Sequence, residues 1–160
     1  MSEASFQIVP AGSAADLDAV KRLFTAYASA LGIDLSYQGF EAELAGLPGK
    51  YAAPTGALLI ARAVDGEPLG CVALRPIAPD GRCEMKRLYV SPRARGLGLG
   101  KSLVDAIVAE ATRIGYREMR LDTMPTMGEA IALYRKAGFL PIAAYYETPV
   151  AGTIFMGRAL

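Results

Sequence analysis

The chain has 160 residues, of which 52% are hydrophobic and 21% are charged, and its formal net charge is +1 at pH 7. This length suits one well-buried core, so we expect residues 1–160 to form a single domain. The composition excludes a disordered chain, and so small a net charge gives no general attraction to nucleic acid or to an anionic membrane.

The chain contains no histidine and only two cysteines, Cys71 and Cys83. Ser-His and Cys-His catalysis and histidine-based metal sites are therefore excluded, and we expect no bound metal. The cysteines are expected to be buried strand residues. No apolar run approaches the roughly 20 residues of a membrane-spanning helix, and the N-terminus lacks the features of a signal peptide. We therefore expect a cytoplasmic protein.

The first half of the chain predicts one long helix among several strands. Ser13 and Asp16 suit a helix start, apolar residues then recur at helical spacing, and Gly32 ends the helix. The other elements predicted here are a strand over 5–10, a short helix over about 37–47, and strands over 56–64 and 69–76 that form a hairpin.

The second half predicts a crossover between two parallel strands. A strand over 82–90 leads into a glycine-rich stretch, a helix that ends at Gly115 follows, and residues 116–124 form the next strand. Because a strand–helix–strand unit of this kind is a parallel connection, one parallel pair is expected within a mixed α+β fold.

The end of the chain predicts one helix and two strands. Thr126 and Glu129 form a capping-box pattern that opens a helix through Ala137. Residues 139–149 and 152–160 are predicted as the last two strands. Alternation along the first of these would turn only one of Tyr145 and Tyr146 inward.

The stretch RGLGLGKS at 95–102 is typical of a phosphate-binding loop, and three loop types share its residues. A P-loop requires glycine where Arg95 stands, and a dinucleotide loop requires glycine where Lys101 stands. The pattern Arg-x-x-Gly-x-Gly is met in full by Arg95, Gly98 and Gly100. Such glycines let backbone N–H groups surround an anion at a helix start, and Arg93, Arg95 and Lys101 can add charge. The alternative is a glycine-rich turn with solvated basic residues.

Two segments, LYVSPRARGLGLGKSLV at 88–104 and GEAIALYRKAGF at 128–139, resemble the signatures of the GCN5-related N-acetyltransferases (the GNAT superfamily). The resemblance extends over residues 56–160. It implies a central twisted, mostly antiparallel sheet of about seven strands, with one parallel, splayed pair at the cofactor site and about four flanking helices. It also implies that the chain uses acetyl-CoA.

The resemblance places the pyrophosphate of the cofactor on the backbone of residues 95–101 and its pantetheine arm along residues 88–90. Unpaired backbone groups of a diverging strand suit the amides of that arm. Met127 stands where the family often has asparagine, which puts one cofactor contact in doubt. The implied cofactor residues are Leu88, Tyr89, Val90, Arg93, Arg95, Gly96, Leu97, Gly98, Leu99, Gly100, Lys101, Ser102, Met127, Tyr134 and Lys136.

The resemblance also assigns Tyr134 as the group that donates a proton or a hydrogen bond to the departing thiolate, and the Val90 N–H as the oxyanion donor. Glu84 and Asp122 are alternative bases for the amine. Each of these three side chains has a structural alternative, as a packing residue or as half of an ion pair. Tyr37 and Tyr145 are the candidate acceptor-site residues.

We therefore expect an N-acetyltransferase that moves an acetyl group from acetyl-CoA to a primary amine of a small molecule or peptide in a ternary complex. The alternatives are a non-catalytic acyl-CoA-binding or regulatory protein of the same fold, and a nucleotide-dependent enzyme. No nucleic-acid or membrane partner is expected, and the resemblance is compatible with a homodimer. The sequence does not identify the amine.

Overall fold

The computed structural model describes residues 5–160, apart from the side chain of Tyr37. The strands are β1 Phe6–Pro10, β2 Ala57–Ala63, β3 Pro68–Ile77, β4 Arg82–Val90, β5 Glu118–Thr123, β6 Leu140–Pro141 and β7 Ile154–Ala159. The α-helices are α1 Ala14–Leu31, α2 Phe40–Ala45, α3 Leu99–Ile114 and α4 Gly128–Lys136. The predicted mixed α+β fold is confirmed.

The seven strands form one sheet in the order β1-β2-β3-β4-β5-β7-β6. Helices α3 and α4 cover one face, where Leu103, Ile107 and Tyr134 join the larger apolar cluster. Helix α1 covers the opposite face through Val20 and Phe24. Cys71 and Cys83 are fully buried, as predicted, one in each cluster.

The parallel pair, β4 with β5, is short, and the two strands then separate. Their register runs from Arg82 opposite Glu118 to Glu84 opposite Arg120, and every other neighbouring pair in the sheet is antiparallel. Within the described part of the chain, the rest of β4 beyond Glu84 has no partner in β5. The expected splayed pair is therefore confirmed.

The sequence did not predict an irregularity in β4 at Arg87. This residue has φ 61, and the β3–β4 register shifts between Cys71 and Ala73. The extra residue is a β-bulge, which reverses the alternation of side chains along the strand. Met85, before the bulge, and Leu88, after it, both pack on the larger cluster although three positions separate them.

Three predicted elements need correction. The capping box at Thr126 is wrong, because α4 begins at Gly128 and the N-cap residue, Met127, makes no side-chain cap. The helix predicted over 37–47 is broken at Gly39, whose φ of 69 separates a 3₁₀ turn from α2. The strand predicted over 139–149 is reduced to Leu140–Pro141. Its remainder is a loop, in which the hydroxyls of Tyr145 and Tyr146 donate hydrogen bonds to Glu84 and Asp122 of the sheet.

Candidate active site

The glycine loop connects the end of β4 to the start of α3. Gly96 and Gly98 have φ angles of 84 and 75, a region that other residues seldom occupy, and Gly98 is the N-cap of α3. The first intrahelical bond runs from the Ser102 N–H to the Gly98 carbonyl at 3.2 Å. The N–H groups of the preceding three residues therefore point out of the helix end, where the helix dipole favours an anion.

The three glycines of the loop are needed for different structural reasons. A Cβ at Gly96 or Gly98 would meet no atom within 4 Å, so these residues are required for backbone conformation and leave room for a ligand. A Cβ at Gly100 would lie 3.2 Å from Leu133 Cδ2. Gly100 therefore allows the close packing of α3 on α4, and the contact of its N–H with an anion stays a prediction.

The predicted basic residues are not equivalent. Arg93 forms an ion pair with Glu67, and the Nζ atom of Lys101 lies 2.6 Å from Asp105 Oδ2. Arg95 and Lys136 are exposed, and neither forms an ion pair with any residue of 5–160. Arg95 therefore supplies the uncompensated charge at the loop.

A narrow cleft of about 50 Å³ lies where β4 and β5 separate. Leu88, Asp122, Met127 and Tyr134 contribute to its walls. The phenol of Tyr134 is 7% exposed, and its ring contacts Phe139 edge-on at 6.0 Å between centroids. Among the described residues the Tyr134 hydroxyl has no hydrogen-bond partner, so it is available to a molecule bound in the cleft.

Burial sets the acidity of Tyr134. Loss of solvation raises the pKa of this phenol well above its usual range, and the charges of Tyr27 and Asp122 raise it further. The hydroxyl therefore keeps its proton at neutral pH and acts as a hydrogen-bond donor. It is a poor source of a proton for an alkyl thiolate, whose conjugate acid has a pKa of about 8.5.

The pairing of β4 with β3 fixes the direction of the backbone N–H of Val90. The Ser91 N–H donates to the Leu69 carbonyl on β3 at 2.8 Å, and Val90 is opposite Gly70. Because hydrogen-bonded and non-hydrogen-bonded pairs alternate in antiparallel strands, the Val90 N–H points away from β3. It points to the side where β5 has separated.

Two carboxylates and two adjacent tyrosines form a network beside the cleft. The Tyr145 hydroxyl donates to Glu84 Oε2, and Arg75 donates to Glu84 Oε1 at 2.8 Å. The Tyr146 hydroxyl donates to Asp122 Oδ2. The Glu84 side chain is 1% exposed and both of its oxygens are occupied. Asp122 is only half-buried, and its Oδ1 accepts no hydrogen bond from residues 5–160.

A larger cavity of about 570 Å³ lies beside this network. Lys86 contributes to both the cavity and the cleft, so the two spaces meet at this residue. The predicted acceptor residue Tyr145 touches Glu84, and its neighbour Tyr146 lines the cavity. The side chain of Tyr37 lies outside the described residues.

Sequence reasoning missed Lys86, Arg75 and Arg87, which also line the cavity. Glu84 and Lys86 are two positions apart on a strand, which was the available signal that both face one side. No group of three potential metal ligands is found in the part of the chain that the structure describes. Over the same residues no helix is long and apolar enough to cross a membrane.

The family model of the acetyltransferase (GNAT) family matches residues 19–139. The chain belongs to this GNAT family, as the sequence resemblance predicted. It is 43% identical to an N-acetyltransferase of Schizosaccharomyces pombe, described as uncharacterized, over 88% of this chain and 86% of that protein. It is 36% identical to an IAA acetyltransferase of Azospirillum brasilense over 68% of this chain and 71% of the relative.

Solved structures agree with this family assignment. A Klebsiella pneumoniae protein assigned as an acyl-CoA N-acyltransferase is 29% identical, has a TM-score of 0.75 and is covered over 99% of both chains. An acetyltransferase from Streptococcus agalactiae has a TM-score of 0.80 at 20% identity, over 98% of this chain and 99% of the other, which shows the shared fold. The GNAT chain is therefore an acyltransferase.

Proposed function

We propose that this GNAT enzyme transfers an acetyl group from acetyl-CoA to a primary amine by direct attack in a ternary complex. The observation that carries the proposal is one continuous path. The open N-terminus of α3 at Gly98 leads along the unpaired edge of β4 to the cleft beside Tyr134. Such a path suits an anionic diphosphate followed by an amide-bearing arm and a thioester.

The size of the cleft supports a small acyl group. Its volume of about 50 Å³ leaves little room beyond the walls formed by Leu88, Met127 and Tyr134. A long acyl chain would have to displace these side chains from a closely packed region, at a substantial energetic cost. Acetyl is therefore the acyl group that we propose.

Asp122 is the base that we propose for the amine. A base needs an oxygen that can receive a proton, directly or through one water. Asp122 Oδ1 meets this condition, and the side chain lines the same cleft as Tyr134. Glu84 does not meet it, because Arg75 and Tyr145 occupy its two oxygens. We assign Glu84 a positioning role for those two residues.

In the proposed reaction the neutral amine forms a bond to the acetyl carbon while the carbon–sulfur bond breaks. Asp122 removes the ammonium proton beforehand, through water. The Val90 N–H faces the developing oxyanion, for which a backbone donor gives fixed electrostatic stabilisation. The Tyr134 hydroxyl donates a hydrogen bond to the departing sulfur, which leaves as a thiolate, and the nitrogen releases its second proton to water as the amide forms.

The proposal is tested by measuring thiol release from acetyl-CoA with polyamines, aminoglycosides, amino acids and peptides as acceptors. Amine-dependent thiol release together with an acetylated product is the expected result. CoA binding in calorimetry without thiol release above background would indicate a non-catalytic binder instead. Thermal stabilisation by ATP or NAD but not by CoA would contradict the assignment of the glycine loop.

A further inference from the structure

The cavity of about 570 Å³ has a size typical of small-molecule sites. Its walls come from residues 38–51, which include α2, from strands β3 and β4, and from the loop that carries Tyr146. Because it joins the cleft at Lys86, a molecule bound in it can place an amine beside the thioester. The charged groups around this cavity therefore bear on which amine it binds.

Most charges in the cavity wall are already paired. The Arg87 guanidinium donates to both oxygens of Glu43, at 2.9 and 3.0 Å. The Arg75 Nε atom lies 2.8 Å from Glu84 Oε1. Lys50 and Glu147, which carry opposite charges, are exposed at the rim. Once these charges are matched, the positive charge of Lys86 remains.

Lys86 is buried without a close carboxylate of its own. Its side chain is 8% exposed, and its Nζ atom donates to the amide oxygen of Gln38 at 3.1 Å. The nearest carboxylate oxygen, Glu84 Oε1, is 3.8 Å away and already accepts from Arg75. Burial lowers the pKa of Lys86 despite the opposing effects of Glu84 and Asp122. An ammonium in this setting gains from an anion brought in by a ligand.

We propose that the acetyl acceptor is an amine that also carries a carboxylate, as an amino acid does, and that Lys86 binds this carboxylate and thereby determines specificity. The inference rests on the proposed function. Since Lys86 reaches both spaces, the carboxylate at Lys86 leaves the amine of the same small molecule at the cleft. This assignment differs from a cationic acceptor, which would bring a second positive charge beside Lys86.

The test compares α-amino acids with two matched sets of acceptors, their amides and the amines that lack the carboxyl group. Values of kcat/KM are referred to the concentration of neutral amine, because the three sets differ in amine pKa. We expect the acids to exceed both other sets by at least about tenfold, the effect of one charge-assisted contact. Lys86→Met should remove this preference and Lys86→Arg should retain much of it.

The control variant is Lys50→Met, which removes a positive charge from the rim of the same cavity and should leave the preference within about twofold, as expected for a solvated charge. Calorimetry with CoA should give the same affinity in all variants. If the wild-type enzyme acetylates amides or simple amines as well as acids, the carboxylate assignment is wrong and the proposed function stands. If no amine of any set is acetylated, the proposed function fails and this inference fails with it.

Discussion

Tyr145 donates a hydrogen bond to Glu84, a carboxylate 61 positions earlier in the chain. This contact joins the loop after β6 to the last residue of β4 that still pairs with β5. It also raises the pKa of Tyr145, for which burial is the largest cause and the Glu84 charge the next. Glu84 is thus a fixed structural acceptor, which is why we propose Asp122 rather than Glu84 as the base.

Asp122→Asn should lower kcat/KM by roughly 10²-fold or more for an ordinary alkylamine, because general-base assistance is lost. The deficit should shrink for acceptors whose amines have a low pKa, since these are already neutral at the assay pH. The measurement is a plot of kcat/KM against amine pKa for both enzymes. A deficit that is the same for every amine would show that Asp122 only positions other groups.

Tyr134→Phe should lower kcat by roughly ten- to a hundredfold, which corresponds to a lost hydrogen bond of about 1.5–3 kcal/mol to a charged group. The affinity for acetyl-CoA should be unchanged, because the ring and its contact with Phe139 remain. Tyr116→Phe is the control, since that hydroxyl donates to the Thr55 carbonyl, away from the cleft. Full turnover by the Tyr134 variant would remove the role proposed for this hydroxyl.

Gly98→Glu should abolish CoA binding in calorimetry, because a side chain and a negative charge would occupy the place of the anion. The matched control is Gly115→Glu at the other end of α3, where φ is 108 and a Cβ also meets no atom within 4 Å. Both variants should lose roughly 1–2 kcal/mol of stability from backbone strain. Only Gly98→Glu should fail to bind CoA. Equal CoA affinities in the two variants would contradict the assignment of the glycine loop.

Glu43→Gln should lower the free energy of unfolding by about 2–4 kcal/mol. The Arg87 side chain is 1% exposed, so removal of its carboxylate leaves a buried charge without its partner. Glu41→Gln on the same helix is the control, because Glu41 is exposed and its loss should cost less than about 0.5 kcal/mol. Urea denaturation measures the free energy of unfolding of both variants. Similar midpoints for the two would show that the ion pair between Arg87 and Glu43 does not stabilise the fold.

Asp16→Asn should lower stability by about 1 kcal/mol at neutral pH. The Arg62 hydrogen bond, at 2.8 Å, is the largest cause of a lowered Asp16 pKa, and the backbone N–H groups of Gly12 and Ser13 add to it. Because the folded-state pKa is depressed, the stabilisation is complete above the unfolded pKa and is lost as the pH falls through the folded value.

The Asp16→Asn difference from wild type should therefore be constant above about pH 5 and shrink below about pH 4. Thermal denaturation across this range measures it. Asp18→Asn, exposed on the same helix, is the control and should show no such change. A difference that persists in acid would assign the loss to helix capping alone.

The parts of the fold that depend on neighbouring residues were predictable from the sequence. The capping box of Ser13 and Asp16 and the helix end at Gly32 are local, and the structure has both. The crossover from β4 to β5 was also predictable, because only one connection of this kind fits the order of the elements. The loop between Val90 and Leu99 followed from its glycines.

The parts set by distant contacts were not predictable. Alternation suggested that only one of Tyr145 and Tyr146 turns inward, yet each binds a carboxylate on a different strand. The positive φ of Arg87 occurs at a residue other than glycine, and its side chain bonds Glu43, 44 positions away, so neither feature has a local signal in the sequence. The ion pairing that leaves Lys86 as the remaining cation likewise could not be predicted, because it depends on contacts between residues that are distant in the sequence.

The bulge at Arg87 puts two consecutive residues of β4, Lys86 and Arg87, in the wall of the same cavity. Deletion of Arg87 would restore regular alternation along β4 and would leave Leu88 on the face of Met85. Glu43 would lose its guanidinium partner, so the cavity wall would gain an unpaired carboxylate. The excess of positive charge that favours an anionic ligand in this cavity would then be lost.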